Sequence, residues 1–160
     1  MTLRKAREYE TAVVAQLYKG GAMSDFSVWD ENYPTPEHAR SDCRLGNLYV
    51  LENNGNIIGA VSVESNHEFD DMECWSIKGE SAVEIARIVI APAYQGKGYA
   101  VKMVELMVKH LSANGIKSVH LLSAKSNIPA TKTYSRLGFD TVGECVAFGH
   151  EYYAMEYVVH

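Results

Sequence analysis

A two-glycine loop stands between an apolar run and an amphipathic segment in the stretch RIVIAPAYQGKGYAVKMVELMVKHL, residues 87–111. The run before the loop is rich in β-branched residues and predicts a strand, while the apolar spacing after it predicts a helix. The first backbone N–H groups of a helix have no partner within the helix and attract anions. Gly96 and Gly98 would let a phosphate approach these groups, and Lys97 adds a positive charge. The spacing indicates either a phosphate-binding turn or, more simply, a flexible loop.

Two common phosphate-binding motifs fit this loop poorly. A Walker loop has Ser or Thr directly after its lysine, whereas Gly98 follows Lys97 here. A dinucleotide-binding fingerprint has a third glycine, but Val101 stands at that position here. The fingerprint also has an acidic residue about 20 residues after its glycines, and this sequence has none about 20 residues past Gly98. The first motif is therefore excluded and the second is disfavoured.

The loop instead resembles the acetyl-CoA signature of the GNAT superfamily of N-acetyltransferases, Arg/Gln-x-x-Gly-x-Gly/Ala, with Gln95, Gly98 and Ala100 at the defining positions. A second segment, SNIPATKTYSRLGF, resembles the superfamily pattern Asn-x-x-Ala-x-x-x-Tyr-x-x-x-Gly-Phe. That pattern is carried here by Asn127, Ala130, Tyr134, Gly138 and Phe139. The stretch LYVLENNGNIIGAVSV also resembles the central strands of the superfamily. The resemblance is weakest over residues 20–46 and 66–82.

The resemblance implies acetyl-CoA as a co-substrate and no metal ion. In the superfamily the strand before the loop splays from its neighbour, and the pantetheine arm lies along the gap. Backbone groups at the splay can bind this arm and polarise the thioester carbonyl, while the loop holds the pyrophosphate. The residues implied to bind acetyl-CoA are Ile88, Val89, Ile90, Gln95, Gly96, Lys97, Gly98, Tyr99, Ala100, Val101 and Asn127. For Asn127, a helix cap is an alternative explanation.

Acyl transfer to an amine needs a neutral nucleophile and a proton for the leaving thiolate. An alkylammonium with a pKa of about 10.4 is converted to the free amine at pH 7 at a cost of roughly 4.6 kcal/mol, so a base helps. Glu84 matches the position of a catalytic glutamate in several superfamily members, and Tyr134 matches the tyrosine that protonates the thiolate. Glu84 could instead be a solvated carboxylate at the end of a strand. Tyr134 could simply pack in the core, because Ala130, Tyr134 and Leu137 share one helical face.

The acceptor pocket is expected in the segments that match the superfamily least. Trp29, Tyr33, Phe69 and Trp75 are candidate walls. Acidic residues near them could attract a cationic amine, although a solvated acidic loop explains the same charges; these residues are Asp25, Asp30, Glu31, Asp70 and Asp71. We predict an enzyme that transfers the acetyl group of acetyl-CoA to a primary amine, most simply on a small molecule. The alternatives are acetylation of a protein N-terminus or lysine, and a catalytically silent acyl-CoA-binding regulatory module.

The elements that must position these residues follow from periodicity. TLRKA and REYETAVVAQLYKGG predict a strand and a helix that stops at Gly20 and Gly21. Thr35 and Pro36 predict the start of a second helix, and residues 53–56 predict a hairpin turn. The order of elements predicts an α+β (mixed α/β) GNAT-like fold. Its sheet should be twisted and mostly antiparallel, with six to seven strands and one splayed parallel pair, flanked by about four helices.

Length and composition predict one domain spanning residues 1–160. The chain is 47% hydrophobic and 22% charged, and its formal net charge is −5. This charge argues against a nucleic-acid partner, and no apolar stretch reaches the roughly 18 residues of a membrane span. The three cysteines lack CxxC spacing and the six histidines lack metal-ligand spacing, so neither a disulfide framework nor a metal site is predicted. We expect a cytoplasmic protein, with homodimer formation left open.

Overall fold

The computed structural model describes residues 1–65 and 69–160. In chain order its helices and strands are β1 (Thr2–Lys5), α1 (Thr11–Ala22), α2 (Pro36–Arg44), β2 (Leu48–Asn53), β3 (Asn56–Glu64), β4 (Ala82–Ile90), α3 (Tyr99–Ala113), β5 (Ser118–Ala124), α4 (Ile128–Arg136), β6 (Asp140–Ala147) and β7 (His150–Val158). Short 3-10 turns precede α1, β4 and α3. In these ranges no helix is both long enough and apolar enough to cross a lipid bilayer.

Within the described ranges, seven strands form one sheet in the order β1-β2-β3-β4-β5-β7-β6. Every neighbouring pair is antiparallel except β4 and β5, which run parallel and are connected through α3. A parallel pair needs a long crossover of this kind, whereas β2 and β3 are joined by a two-residue turn at Asn54 and Gly55. The predicted α+β fold class, with its mostly antiparallel sheet and one parallel pair, is confirmed.

Helices cover both faces of the sheet. On one face α3 buries Met103 and Met107 in a core that also includes Tyr134 of α4. On the other face α1 buries Val14 and Leu17 against β2, β3 and β4. The period of 3.6 residues in each helix supplies one apolar stripe, and each stripe packs on one face of the sheet. Side chains that alternate along a strand therefore reach two different cores.

Helix α1 does not stop at the glycines that were predicted to end it. Gly20 and Gly21 lie in its last turn, and the helix continues to Ala22. A Cβ atom on Gly21 would lie 2.8 Å from the Trp29 ring and 3.0 Å from Val89. Close packing explains the glycine better than helix termination does, because only a residue without a side chain lets Trp29 approach the helix and the sheet so closely.

Glu156 of β7 holds the described part of the β3–β4 connection on the sheet. Its buried carboxylate accepts hydrogen bonds from the backbone N–H groups of Ser76 (3.0 Å) and Ile77 (3.2 Å). The hydroxyls of Ser76 and Ser118 also donate to it, at 2.8 and 2.7 Å. Burial raises the pKa of Glu156, but these hydrogen bonds outweigh burial and lower it overall. The carboxylate therefore stays ionised and fixes the connection at neutral pH.

A buried ion pair joins α2 to β4. Arg87 donates to the two Asp42 oxygens at 2.9 and 3.1 Å, and the Ser62 hydroxyl donates to Asp42 at 2.7 Å. Arg87 and Asp42 are each only 8% exposed. Removing one partner leaves the other charge buried with fewer compensating contacts. The resulting decrease in the free energy of unfolding is larger than the net stabilisation that the intact pair provides.

Asp42→Ala is expected to lower the free energy of unfolding by about 3 kcal/mol, because it leaves the Arg87 guanidinium buried without its bidentate partner. Glu37→Ala on the same helix is the matched control, since Glu37 pairs with Arg40 and Arg44 at the surface and should matter little. Urea unfolding followed by circular dichroism measures both variants. Equal unfolding midpoints would show that the buried pair does not hold α2 on the sheet.

Candidate active site

The parallel ladder between β4 and β5 is short. It pairs Ala82 with Ser118 and ends at the pair of Glu84 and His120, although the strands continue to Ile90 and Ala124. Residues 85–90 and 121–124 line a cavity of about 710 Å³. The two strands therefore diverge after Glu84, as predicted, and the cavity lies between their diverging ends.

The loop from Gln95 to Gly98 leads from the end of β4 into α3. Gln95 lines the cavity, and its side-chain amide donates to the Ile90 carbonyl at 3.0 Å. Gly96 and Gly98 have φ values of +73° and +83°, and a Cβ atom on either would meet no atom within 4 Å. Open space therefore adjoins the N-terminus of α3, where backbone N–H groups and the nearby Lys97 favour an anion. These features are compatible with an anion such as a pyrophosphate at the loop.

The other residues predicted to bind the cofactor lie around this loop and the diverging strands. Ile88, Val89, Ile90 and Asn127 line the cavity. The remaining members are Gly96, Lys97 and Gly98 in the loop and Tyr99, Ala100 and Val101 in the first turn of α3. The side chain of Asn127 accepts a hydrogen bond from the Ala130 N–H at 3.3 Å, so Asn127 both caps α4 and faces the cavity.

Glu84 lies where the two strands separate, and it lines the cavity. It is 6% exposed and stands directly opposite Glu64 in the antiparallel ladder with β3. Burial, followed by the negative charges of Glu64 and Asp70, raises the pKa of Glu84 to about 9, although Arg87 acts in the opposite direction. A carboxyl with this pKa is protonated at neutral pH. Its affinity for a proton is close to that of an alkylamine, whose pKa is about 10.4.

Tyr134 lines the same cavity from α4. Its ring is 9% exposed and packs against Phe139 with 6.2 Å between the ring centroids. Burial raises the pKa of Tyr134, so its phenol is protonated at neutral pH. The sequence left open whether this ring packs in the core or serves the site, and its position in the structure is compatible with both.

Arg87 is a cavity residue that the sequence analysis did not single out. It lies in a β-bulge, because Ala60 pairs with Val89 and Ser62 pairs with Ala86, which leaves an extra residue on β4. Its backbone has a φ of +50°, a conformation that residues other than glycine rarely adopt.

The Arg87 side chain is surrounded by hydrogen-bond acceptors from three elements. Its guanidinium donates to Asp42 of α2, to Glu64 of β3 and to the Tyr33 hydroxyl at 3.0 Å. A charged residue within the apolar run EIARIVI is the signal that could have identified it, since a buried charge needs partners. The sequence does not say which partners, because they lie 23 to 54 residues away along the chain.

Aromatic residues form part of the cavity lining, and we call this part the acceptor end. The predicted wall residues Trp29, Tyr33 and Phe69 belong to it, and the further aromatic residues in it are Phe148, His150 and Tyr152. Trp75, the fourth predicted wall residue, is not part of the described lining. Its ring is 5% exposed and stacks on His120 with 3.9 Å between centroids, so it covers the sheet beside the cavity.

Carboxylates outnumber cations at the cavity. Asp30 and Glu64 line it, whereas Glu84 is protonated at neutral pH. Arg87, the one arginine or lysine among the described lining residues, is paired with Asp42 and Glu64. Burial and the Arg87 charge lower the pKa of His38, which therefore adds no positive charge at neutral pH. In the described part of the chain, no group of three or more His, Cys, Asp or Glu side chains is placed to hold a metal ion. The electrostatic potential favours a cationic ligand.

The Acetyltransferase (GNAT) family matches residues 15–139, which is most of the sequence. The chain belongs to the GNAT acetyltransferase family. The fold of this GNAT domain is similar over 99% of its length to a structure of yncA from Salmonella typhimurium with its cofactor acetyl-CoA, covering 93% of that chain with a TM-score of 0.75 and 21% identity. At this identity the similarity concerns the fold.

Curated relatives of the GNAT domain match shorter stretches. A [ribosomal protein bS18]-alanine N-acetyltransferase of Haemophilus ducreyi is 34% identical over 55 residues, which are 34% of this chain and 38% of that enzyme. A mycothiol acetyltransferase of Corynebacterium jeikeium is 33% identical over 70 residues, 44% of this chain and 20% of that enzyme. The matches thus span well under half of these relatives, whose named acceptors differ from each other.

Acetyl-CoA is expected to raise the melting temperature of the wild-type GNAT domain, and Gly98→Glu should abolish this shift. A glutamate side chain would fill the open space at the start of α3 and oppose a bound pyrophosphate. Gly115→Glu is the matched control, because Gly115 has a φ of +89° and equally open surroundings at the other end of α3. It carries the same backbone strain and should keep the shift. Equal shifts in both variants would argue against the cofactor assignment.

Proposed function

We propose that this GNAT domain is an acetyl-CoA-dependent N-acetyltransferase that acts on a primary amine of a small molecule by direct attack in a ternary complex. The observation that carries the proposal is that Glu84, Tyr134 and Gln95 of the loop line one cavity between β4 and β5. A base, a proton donor and a cofactor loop thus share a single space. This is the arrangement that direct acyl transfer needs.

Residues of the chain hold the co-substrate in a defined orientation. The loop from Gln95 to Gly98 and the first turn of α3 would bind the pyrophosphate. Residues Ile88 to Ile90, which have no ladder partner on β5, would offer backbone groups to the pantetheine arm. When bound, acetyl-CoA supplies an acetyl thioester whose carbonyl carbon accepts an amine and whose sulfur leaves as a thiolate.

Glu84 has the position and proton affinity of the general base. An acceptor arrives mainly as the ammonium ion at neutral pH, and Glu84 in its ionised form would remove the proton that blocks the nitrogen lone pair. Glu64 and Asp30 would attract the same cation. The Tyr134 hydroxyl, which burial keeps protonated, would then donate its proton to the leaving thiolate and take up the proton that the new amide nitrogen loses.

A protein acceptor is the second candidate, and the Haemophilus ducreyi relative, whose name specifies a ribosomal protein, is the observation that favours it. The two relatives have different named acceptors, so the identity of the acceptor is the main question for the experiment below.

The three cysteines are unpaired in the structure, which supports a reducing, cytoplasmic location.

The proposal is tested by measuring release of the CoA thiol from acetyl-CoA with a panel of acceptors. The panel contains simple amines, amino acids, polyamines, aminoglycosides and peptides with a free N-terminus or lysine. Turnover with an amine small molecule supports the proposal, and turnover with peptides alone assigns the protein to the second candidate. Tight acetyl-CoA binding without thiol release from any acceptor would instead identify a catalytically silent binding module.

Tyr134→Phe is expected to lower kcat by about 10- to 1000-fold, the range for loss of a general acid, with little change in acetyl-CoA affinity. The substitution removes the hydroxyl and keeps the ring that packs on Phe139. Phe139→Leu is a control for a packing change beside it, because it should affect stability more than turnover. Wild-type turnover in a folded Tyr134→Phe variant would assign Tyr134 to packing alone.

Glu84→Gln is expected to change the shape of the pH profile of kcat/KM. In the wild type, activity should rise to about pH 9 as Glu84 ionises and then level off, because above about pH 10.4 the acceptor arrives as the free amine and no longer needs the base. The variant uses only the free amine, so its activity should rise steadily, lie well below wild type at neutral pH and approach it at high pH.

Stability gives a control for Glu84→Gln. A buried carboxyl with a raised pKa stabilises the fold in its neutral form, and this stabilisation is lost as the pH rises from the ordinary value toward 9. A neutral amide should therefore keep the folded state stable at neutral pH, and the change in activity would not reflect unfolding. Superimposable profiles of wild type and variant would exclude Glu84 as the base.

A further inference from the structure

The turn between β6 and β7 carries a phenylalanine where turn geometry disfavours one. Ala147 pairs with His150, so Phe148 and Gly149 form a two-residue turn with φ values of +52° and +78°. Positive φ at both positions is typical of a type I′ turn, in which Asn, Asp and Gly are preferred at the first position. A bulky side chain there is strained, and residues held in such conformations concentrate at functional sites.

The Phe148 ring gains little from core packing that could offset this strain. It is 78% exposed, and its edge-to-face contact is with Phe69, at 6.4 Å between centroids and 84° between planes. Trp75 donates a hydrogen bond to the Phe69 carbonyl at 2.9 Å, and Trp75 itself is stacked on the sheet. Both phenylalanines line the cavity. An aromatic pair, in which Phe148 is exposed and Phe69 is half-buried, therefore belongs to the acceptor end.

The charges beside this pair disfavour a carboxylate on the acceptor. Arg87 uses four of its five N–H donors on Asp42, Glu64 and Tyr33. No other arginine or lysine occurs among the described residues that line the cavity. A carboxylate beside the reacting amine would thus approach Asp30 and Glu64 and find at most one remaining Arg87 N–H donor among the described lining residues, whereas an apolar group would meet aromatic rings.

We propose that the acceptor is a small primary amine with an apolar alkyl or aromatic body and no carboxylate beside the amino group, and that Phe148 and Phe69 bind this body. The inference rests on the proposed N-acetyltransferase function and names its acceptor class. The ammonium group lies toward Glu84 and Glu64, and the apolar body lies against the paired rings. Amino acids are excluded by charge, and peptides are disfavoured because their polar backbone would have to pass the aromatic pair.

Acceptor pairs that differ only by a carboxylate test the charge argument. Release of CoA thiol is measured with 2-phenylethylamine against phenylalanine and with 3-methylbutylamine against leucine. The kcat/KM of each amine should exceed that of its amino acid by about 100-fold or more, as expected when a charge is buried without a partner. Equal values within the pairs, or a preference for peptides with an N-terminal phenylalanine, would overturn this inference alone. No thiol release with any acceptor would overturn the proposed function and this inference with it.

Phe148→Asn tests the role of the ring separately from its effect on folding. Asn-Gly is the preferred type I′ pair, so the variant should keep or raise the melting temperature, while KM for 2-phenylethylamine rises about tenfold with kcat changed little. KM for ethylamine, which lacks an apolar body, should not change. Phe148→Gly also suits a positive φ and should lose the same affinity. Val146→Asn in the same hairpin is the control, since Val146 is 72% exposed but outside the described lining. An unchanged KM in both folded Phe148 variants would overturn the assignment.

Discussion

The candidate active site depends on the point at which the pairing between β4 and β5 stops. Strand β4 is paired with β3 along most of its length but with β5 only as far as Glu84. Beyond that residue the two parallel strands separate, and the cavity between them is lined by Tyr134 from one face of the sheet and by Trp29 from the other. A fully paired β4 and β5 would leave no space there. The sheet thus lacks the hydrogen bonds that β4 and β5 could form beyond Glu84, and the space left between the strands is large enough for two reactants.

Buried charge is the second constraint, and it connects stability with chemistry. Arg87 is stabilised by Asp42 and Glu64, and the bulge in β4 is the place where its side chain meets them. Glu64 also stands opposite Glu84, so its negative charge raises the pKa of the proposed base. A substitution made to stabilise the fold by removing these charges would therefore also change the proton affinity of Glu84.

A third set of contacts lies outside the cavity and holds Phe69, which is one of the lining residues. Glu156 uses hydrogen bonds to Ser76, Ile77 and Ser118 to keep the β3–β4 connection on the sheet. The Trp75 indole then fixes Phe69 through its carbonyl oxygen. A carboxylate with this many donors stays ionised although it is buried, so the support persists at neutral pH. Phe69 at the acceptor end is thus held by residues that do not themselves line the cavity within the described part of the chain.

The sequence by itself determined the fold class, the hairpin, the second helix and the loop before α3, because each depends on local periodicity or on residues with special backbone preferences. It placed Gln95, Glu84 and Tyr134 on three different elements but could not show that they line one cavity. It misplaced the end of α1, since Gly21 serves a contact with Trp29 that is distant in sequence. Only the tertiary structure decided these points, together with the partners of Arg87, because they depend on contacts between residues far apart in the chain.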